Sequence, residues 1–307
     1  MQTNQPTFPA DHEARLQRVL SSFEGLSVGD GFGQCFFTST DLIEQWVQHR
    51  ISPPPPWVVT DDTVMALSIV RNLKHHGRIE QDTLAKAFAE EFVREPDRGY
   101  GGMAQQILRA ISRGMSWKAV ARQAFGGQGS CGNGGAMRSA PIGAYFADDY
   151  KRVVAEAKAS AEVTHAHPDG KTGAVAVALA AAWMVREGNQ AGKAGHALIE
   201  FVLEHLPQTE TYHALMKAME VPLDSSPKIA ASILGNGRKV VASDTVPFCI
   251  WCAARHVDSY AEALWTTVSG LGDRDTTCAI VGGIVASGKP RDCIPLEWLK
   301  AREPIQI

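Results

Sequence analysis

The chain has 307 residues, 45% of them hydrophobic, with 30 Lys and Arg against 33 Asp and Glu. Its formal net charge of −3 leaves no electrostatic footprint for nucleic acid. The longest uninterrupted apolar stretch, Ala174 to Val185, falls well short of the roughly 20 residues needed to span a bilayer, so no membrane partner is expected.

Met1 to Asp11 is mostly polar residues and proline, with no Lys or Arg and no apolar run, so it is not expected to be a secretory signal. Residues 1–14 read as a flexible segment ahead of one domain spanning residues 15–307, because no later stretch is long enough to be a linker. The first helical face is Leu16, Val19, Leu20 and Phe23. Ser52-Pro53-Pro54-Pro55-Pro56 reads as a stiff loop. Helical spacing resumes at Val64, Leu67, Val70 and Leu73, then at Leu84, Phe88 and Phe92, then at Ala104, Ile107, Leu108 and Ile111. Gly126-Gly127-Gln128-Gly129 and Pro222 to Pro227 are breaks. Val153 to Val163, Leu198 to Leu206, Tyr212 to Met219 and Tyr260 to Val268 continue the helical pattern. Gly134 to Tyr145, Gly173 to Val185 and Cys278 to Gly288 are rich in small residues, which lets neighbouring backbones approach and implies burial on every side. The expected fold is all-α: a compact, single-domain orthogonal bundle of many helices around central small-residue helices.

The six cysteines, at 35, 131, 249, 252, 278 and 293, lack a framework spacing and suit a reducing, cytoplasmic location. Cys249-Ile-Trp-Cys252 lies in an apolar segment and reads as two buried small hydrophobes.

Two acidic knots carry the strongest chemical signal. Thr60-Asp61-Asp62-Thr63 and Asp273-Arg274-Asp275-Thr276-Thr277 each precede an apolar helix. One Asp or Thr suffices for an N-cap, so four capping-type residues in a row point to metal or substrate binding. Oxygen-rich sets suit hard cations such as Mg²⁺ or Mn²⁺. The second knot also fits the D-x-D-x-T pattern of aspartyl-phosphate phosphatases, but the stretch upstream is helical and few residues follow. Gly132-Asn133-Gly134-Gly135-Ala136-Met137-Arg138 opens a helix and reads as a phosphate cradle or as a tight turn. Arg98-Gly99-Tyr100-Gly101-Gly102 reads as a flexible turn bearing an aromatic ring. His165-Ala166-His167 resembles a zinc pair without a third ligand, so one imidazole bonding a substrate is the better reading.

Taken together, these motifs resemble those of the ADP-ribosylglycohydrolase family, of the dinitrogenase-reductase-activating type. The resemblance rests on Gly25 to Gly33, Thr60 to Thr63, Gly132 to Arg138, Thr164 to Pro168 and Gly272 to Thr276, in that order. It implies a central cleft with two Mg²⁺ or Mn²⁺ ions held by Thr60, Asp61, Asp62, Asp273, Asp275 and Thr276. It also implies that Gly132, Asn133 and Gly134, with Met137, cradle the diphosphate or distal ribose of ADP-ribose. Tyr100, Gly101 and His165 would line the substrate cleft, and Asp61, Asp62 and Asp275 would carry catalysis.

The expected activity is removal of ADP-ribose from a modified protein side chain, such as arginine, or from a small molecule. One departure stands out: family members usually carry a glutamate shortly after the first Gly-Asp motif, and this chain has Gln34-Cys35-Phe36-Phe37. Glutamine can coordinate through its carbonyl but cannot serve as a base, so Asp97 or Asp61 is expected to substitute. The alternative is a protein that binds ADP-ribose, or an ADP-ribosylated protein, without turnover, as a sensor or a toxin-neutralising partner. The sequence is silent on oligomeric state.

Overall fold

The computed structural model describes residues 8–188 and 195–307. Among these residues there is no β-strand, and two isolated bridges join Trp57 to Arg302 and Gly132 to Val241. The α-helices, in chain order, are α1 (His12–Gln34), α2 (Thr40–His49), α3 (Asp61–His76), α4 (Gln81–Arg94), α5 (Gly102–Ser112) and α6 (Trp117–Gly127). They continue as α7 (Ala140–Phe146), α8 (Tyr150–Glu162), α9 (Pro168–Glu187), α10 (His196–Glu204) and α11 (Glu210–Met216). The last are α12 (Pro227–Leu234), α13 (Ala242–Arg255), α14 (Tyr260–Val268), α15 (Arg274–Ala286) and α16 (Leu296–Ala301). No helix is long and apolar enough to cross a membrane.

The all-α expectation holds, and the differences are local. Helix α1 starts at His12, ahead of the expected domain start at residue 15, and runs on past Phe23 to Gln34. Residues 1–7 of the expected flexible segment lie outside the described residues. Gly134 to Tyr145 is not one small-residue helix but a 3₁₀ turn at Asn133–Gly135 followed by α7. Pro141 sits in the first turn of α7, where its missing N–H costs no helical bond, so the helix starts there and not earlier. By the same logic Pro227 opens α12 directly after the expected break.

Two features build the frame of the site. First, α1 and α15 touch main chain to main chain. Gly25, Gly29 and Gly33 recur every four residues and therefore share one face of α1. A Cβ placed on them would lie 2.4 Å from Gly282 O, 2.2 Å from Cys278 O and 2.1 Å from Arg274 O, respectively. The facing residues on α15 repeat with the same period, so the two rows run alongside each other. Tyr260 Oη donates to Gly25 O at 2.6 Å, and Ser22 Oγ donates to Gly283 O at 2.9 Å, so the backbone carbonyls at the crossing stay bonded.

Second, an aromatic cluster pins the segment that leads into α3. Phe32 stacks on Trp298 with centroids 4.7 Å apart and meets Trp57 and Trp265 edge-on. Trp57 Nε1 donates to Pro53 O at 3.0 Å, which ties the proline loop to the same cluster. The chain leaves Trp57 and reaches Thr60, the N-cap of α3, three residues later. Helix α9 passes behind this frame, with all but one residue between Asp169 and Met184 buried.

Candidate active site

The N-terminus of α3 and the N-terminus of α15 meet beside the C-terminal end of α1. Thr60 caps α3 through a 3.4 Å bond from Asp62 N, and Asp61 and Asp62 occupy the first turn. Asp273 stands at the N-cap position of α15 without a side-chain capping bond, with Asp275 and Thr276 in the first turn. Helix N-termini favour carboxylates because unpaired N–H groups and the macrodipole present positive charge there. Thr276 Oγ1 donates to Asp62 Oδ2 at 3.4 Å, so the two acidic knots are in direct contact. The six residues expected as a ligand set are therefore brought together.

Asp30, on α1, is the member that sequence reasoning left out. It is fully buried and accepts bonds from Thr60 N and Thr60 Oγ1, both at 2.9 Å, from Thr63 N at 3.2 Å and from Thr63 Oγ1. Its two oxygens thus receive four donors from the first turn of α3 and fix that turn against α1. The signal in the sequence was a lone Asp inside the small-residue run Gly29-Asp30-Gly31, where an acid without partners has no place.

Burial and mutual repulsion set the protonation of this group. Asp30 is pushed up to about 7, first by burial and also by the charge of Asp275. Asp273 is likewise pushed up to about 7 by burial and then by Asp275, while Asn133 Nδ2, donating at 2.7 Å, opposes the shift. Asp61 and Asp62 are raised well above the usual carboxylate range by burial, then by Asp30 and Asp275.

The glycine loop reaches the acids through Asn133, whose amide also donates to Thr245 Oγ1 at 3.2 Å. His165 lies against the loop: a Cβ on Gly132 or Gly134 would stand 3.2 Å from its Nε2. Behind it, Arg138 is fully buried without a carboxylate partner and lies 4.5 Å from the Phe88 ring centroid. Burial lowers Arg138 to about 9, so it remains a cation at neutral pH. Arg138 Nη2 donates to Thr164 Oγ1 at 2.8 Å, and Thr164 Oγ1 lies 2.7 Å from His165 Nδ1. The hydroxyl, having accepted from the guanidinium, directs its own proton to Nδ1; the imidazole proton is therefore on Nε2, beside the loop. Burial and the Arg138 charge hold His165 down to about 3, which keeps it neutral. Thr164→Val should remove the Nε2–H preference, read from ¹⁵N chemical shifts of His165.

Other expected residues have different surroundings. The Tyr100 ring is buried edge-on to Phe92, centroids 5.1 Å apart, and its hydroxyl is buried without a partner. Gly101 has open space where a Cβ would stand, and the preceding turn touches the acids through Asp61 N, which donates to Arg98 O at 2.7 Å. Met137 is buried against the loop. The two imidazoles diverge: His167 Nδ1 caps α9 by accepting from Asp169 N at 3.1 Å, so His165 and His167 form no zinc pair. Asp97 is exposed, and Gln34 closes α1. Where a glutamate was expected, Phe37 is 49% exposed and the Arg274 guanidinium lies 4.4 Å from its ring centroid. Cys249 and Cys252 are buried thiols, the latter pushed up to about 12, in keeping with a packing role.

The sequence model of the ADP-ribosylglycohydrolase family matches residues 11–306. The chain belongs to this family. It is 28% identical to the human ADP-ribosylhydrolase ARH3 over 334 aligned positions, covering 93% of this chain and 90% of that protein. It is 25% identical to the ADP-ribosyl-[dinitrogen reductase] glycohydrolase of Rhodospirillum rubrum, covering 95% and 91%. In fold it matches a chain described as an ADP-ribosylglycohydrolase-related protein complex, with a TM-score of 0.63 and 24% identity over 95% and 94% of the two chains. As a member of the family it is a glycosidic-bond hydrolase that removes ADP-ribose from modified substrates.

The donor chemistry of the acidic cluster fits a divalent hard cation. Every candidate ligand is oxygen, and Asp62 Oδ1 and Asp275 Oδ1 are buried without a hydrogen-bond partner. Among the described residues, however, no three acidic, His or Cys side chains stand in a finished ligand arrangement. Part of the reason is that Asp62 Oδ2 is engaged by two threonine hydroxyls and Asp273 Oδ2 by Asn133.

The raised carboxylates give a pH test. Between the ordinary value of 3.8 and about 7, the folded state holds more protons at Asp30 and Asp273 than the unfolded state does. Their contribution to stability is therefore complete below about pH 4 and is lost as pH rises through about 7. With EDTA present, the melting temperature should fall across that window. Saturating Mn²⁺ or Mg²⁺ should restore about 3 kcal/mol at pH 8 and much less at pH 5. Parallel curves with and without the ions would contradict metal binding at these carboxylates.

Proposed function

We propose that the chain hydrolyses the N- or O-glycosidic bond between ADP-ribose and an acceptor, with two Mg²⁺ or Mn²⁺ as cofactors and a protein side chain such as arginine as acceptor. The observation that carries this reading is the contact of the α3 and α15 N-termini, Thr276 on Asp62, with Asn133 tying the glycine loop to Asp273. Thr60, Asp61, Asp62, Asp273, Asp275 and Thr276 would hold the ions, which when bound supply Lewis acidity toward water and ribose hydroxyls. The glycine loop and the Nε2–H of His165 would orient the diphosphate or distal ribose. Asp30 fixes the first turn of α3, so that Asp61 and Asp62 point into one site. Asp61, ionised when the site is loaded, would take the proton of the attacking water as oxygen bonds to the anomeric carbon. The bond to the acceptor breaks in the same displacement, and the proton passes to the leaving nitrogen or oxygen.

The test is a panel of arginine-, serine- and carboxylate-linked ADP-ribose substrates with Mg²⁺, Mn²⁺ or EDTA, scored for free ADP-ribose. Release from at least one substrate, abolished by EDTA, is expected; undiminished release in EDTA would refute the metal-assisted route. Phe37 supports a second reading, since the segment after α1 brings no carboxylate to the site. ADP-ribose would then be held without turnover, and calorimetry on the same protein would show binding where the panel shows no product.

A further inference from the structure

Glu303, which follows α16, reaches back to the segment that delivers the first turn of α3. Trp57 N donates to Ala301 O at 2.7 Å, and Glu303 N donates to Trp57 O at 2.9 Å, so the two segments pair in parallel around Trp57 and Arg302. Continued regularly, that pairing would send Val59 N to the Glu303 carbonyl. The Glu303 side chain takes the bond instead, with Oε1 accepting from Val59 N at 2.9 Å. The next two donors along the chain leave this pairing: Thr60 N donates to Asp30 Oδ2, and Asp61 N to Arg98 O.

Arg98 closes the arrangement. Its Nη1 donates to the same Glu303 Oε1 and, at 3.0 Å, to Val59 O, while its Nε donates to Glu95 Oε2 at 2.6 Å. One carboxylate oxygen thus joins residue 59 to residue 98, and the carbonyl of residue 98 receives the N–H of Asp61. The turn lies directly on the acid: a Cβ on Gly99 would stand 3.5 Å from Asp61 Oδ1. The side chains of Arg98 and Glu303 are each 23% exposed. An ion pair so open to solvent adds little to global stability, so its effect is local: it fixes the 59–61 backbone against the 98–99 turn.

We infer that Glu303, acting through Val59 and Arg98, is a positioning residue for Asp61 and thereby sets how tightly the acidic cluster holds a divalent cation. The inference rests on the cation-binding reading proposed above and concerns only what keeps Asp61 in place for it. The test is a calorimetric Mn²⁺ titration of Glu303→Ala and Glu303→Gln. Beside it runs hydrogen exchange in EDTA, read by mass spectrometry on peptides covering residues 57–63 and 274–280. Groups that orient metal ligands from outside change affinity by about 10–100-fold, and Glu303 acts through backbone, so Glu303→Ala should weaken Mn²⁺ binding by about tenfold. Exchange should quicken in 57–63 and stay unchanged in 274–280, where Thr277 N is bonded to Asp273 O. Glu303→Gln keeps an acceptor for Val59 N and should recover most of the 57–63 protection and part of the affinity. Arg71→Ala, which frees Gln306 O further along the same segment, is the control and should alter neither readout.

Unchanged Mn²⁺ affinity in Glu303→Ala would overturn the inference. So would faster exchange spread equally over both peptides, since Glu303 would then hold the fold and not Asp61. An equal loss of affinity in Arg71→Ala would overturn it as well. If the unaltered chain takes up no Mn²⁺, the cation reading fails separately, and the exchange of residues 57–63 decides whether Glu303 positions Asp61.

Discussion

Asp275→Asn should lower kcat/KM for release of ADP-ribose by at least about 10³-fold, equivalent to about 4 kcal/mol of transition-state stabilisation. Asp275 lies in the first turn of α15 beside Asp273, its charge raises Asp30, Asp61, Asp62 and Asp273, and its Oδ1 is buried without a partner. The amide keeps the shape but removes the charge that a cation would need. The same variant should lose the rise in melting temperature on adding Mn²⁺ or Mg²⁺. Because it also relieves repulsion between buried acids, its stability in EDTA at pH 8 should equal or exceed that of the unaltered chain. A variant that is simply less stable in EDTA would show that Asp275 holds the fold, not the ions. Retained turnover would remove it from the catalytic set.

Gly29→Val should cost more than 4 kcal/mol, or prevent folding altogether. A Cβ at this position would lie 2.2 Å from Cys278 O, which is backbone within a buried helix and has no free rotamer to yield. Separation of α1 from α15 would carry Asp30 away from Asp275, so any folded fraction should also lose its response to divalent ions. Urea denaturation measures the first effect, and melting with and without Mn²⁺ the second. Gly101→Val is the control: nothing lies within 4 Å of a Cβ there, so its stability should change by less than about 1 kcal/mol. Equal loss at both positions would contradict the packing argument.

Much of this was legible in the sequence for physical reasons. The 3.6-residue spacing of Val64, Leu67, Val70 and Leu73 survives in α3 because that face is buried, and clustered oxygen donors ahead of apolar helices mark a site wherever they occur. The rest was hidden for equally physical reasons. Residues Gly25 to Gly33 have no apolar stripe, since glycine contributes by what it leaves out, so α1 looked as if it ended at Phe23. Asp30 looked like one motif letter because its partners, Thr60 and Thr63, lie thirty or more positions away. The divergence of His165 and His167 depends on which one caps α9, a matter of backbone direction that spacing alone does not encode. Tyr100 could equally have turned its ring outward; only the packing of Phe92 decides it.

The crossing of α1 and α15 has a kinetic consequence. Ser22 and Gly283, which bond across it, are separated by 261 positions, and the acids it brings together come from both ends of that interval. Closing so long a loop costs entropy before any native contact repays it, which makes this pairing a late event in folding. Helices such as α8 and α9, neighbours in sequence, can form and dock long before it. Hydrolytic competence should therefore return only with the last refolding phase, after most helical signal has recovered, so that a chain interrupted on the way carries structure but no reaction centre.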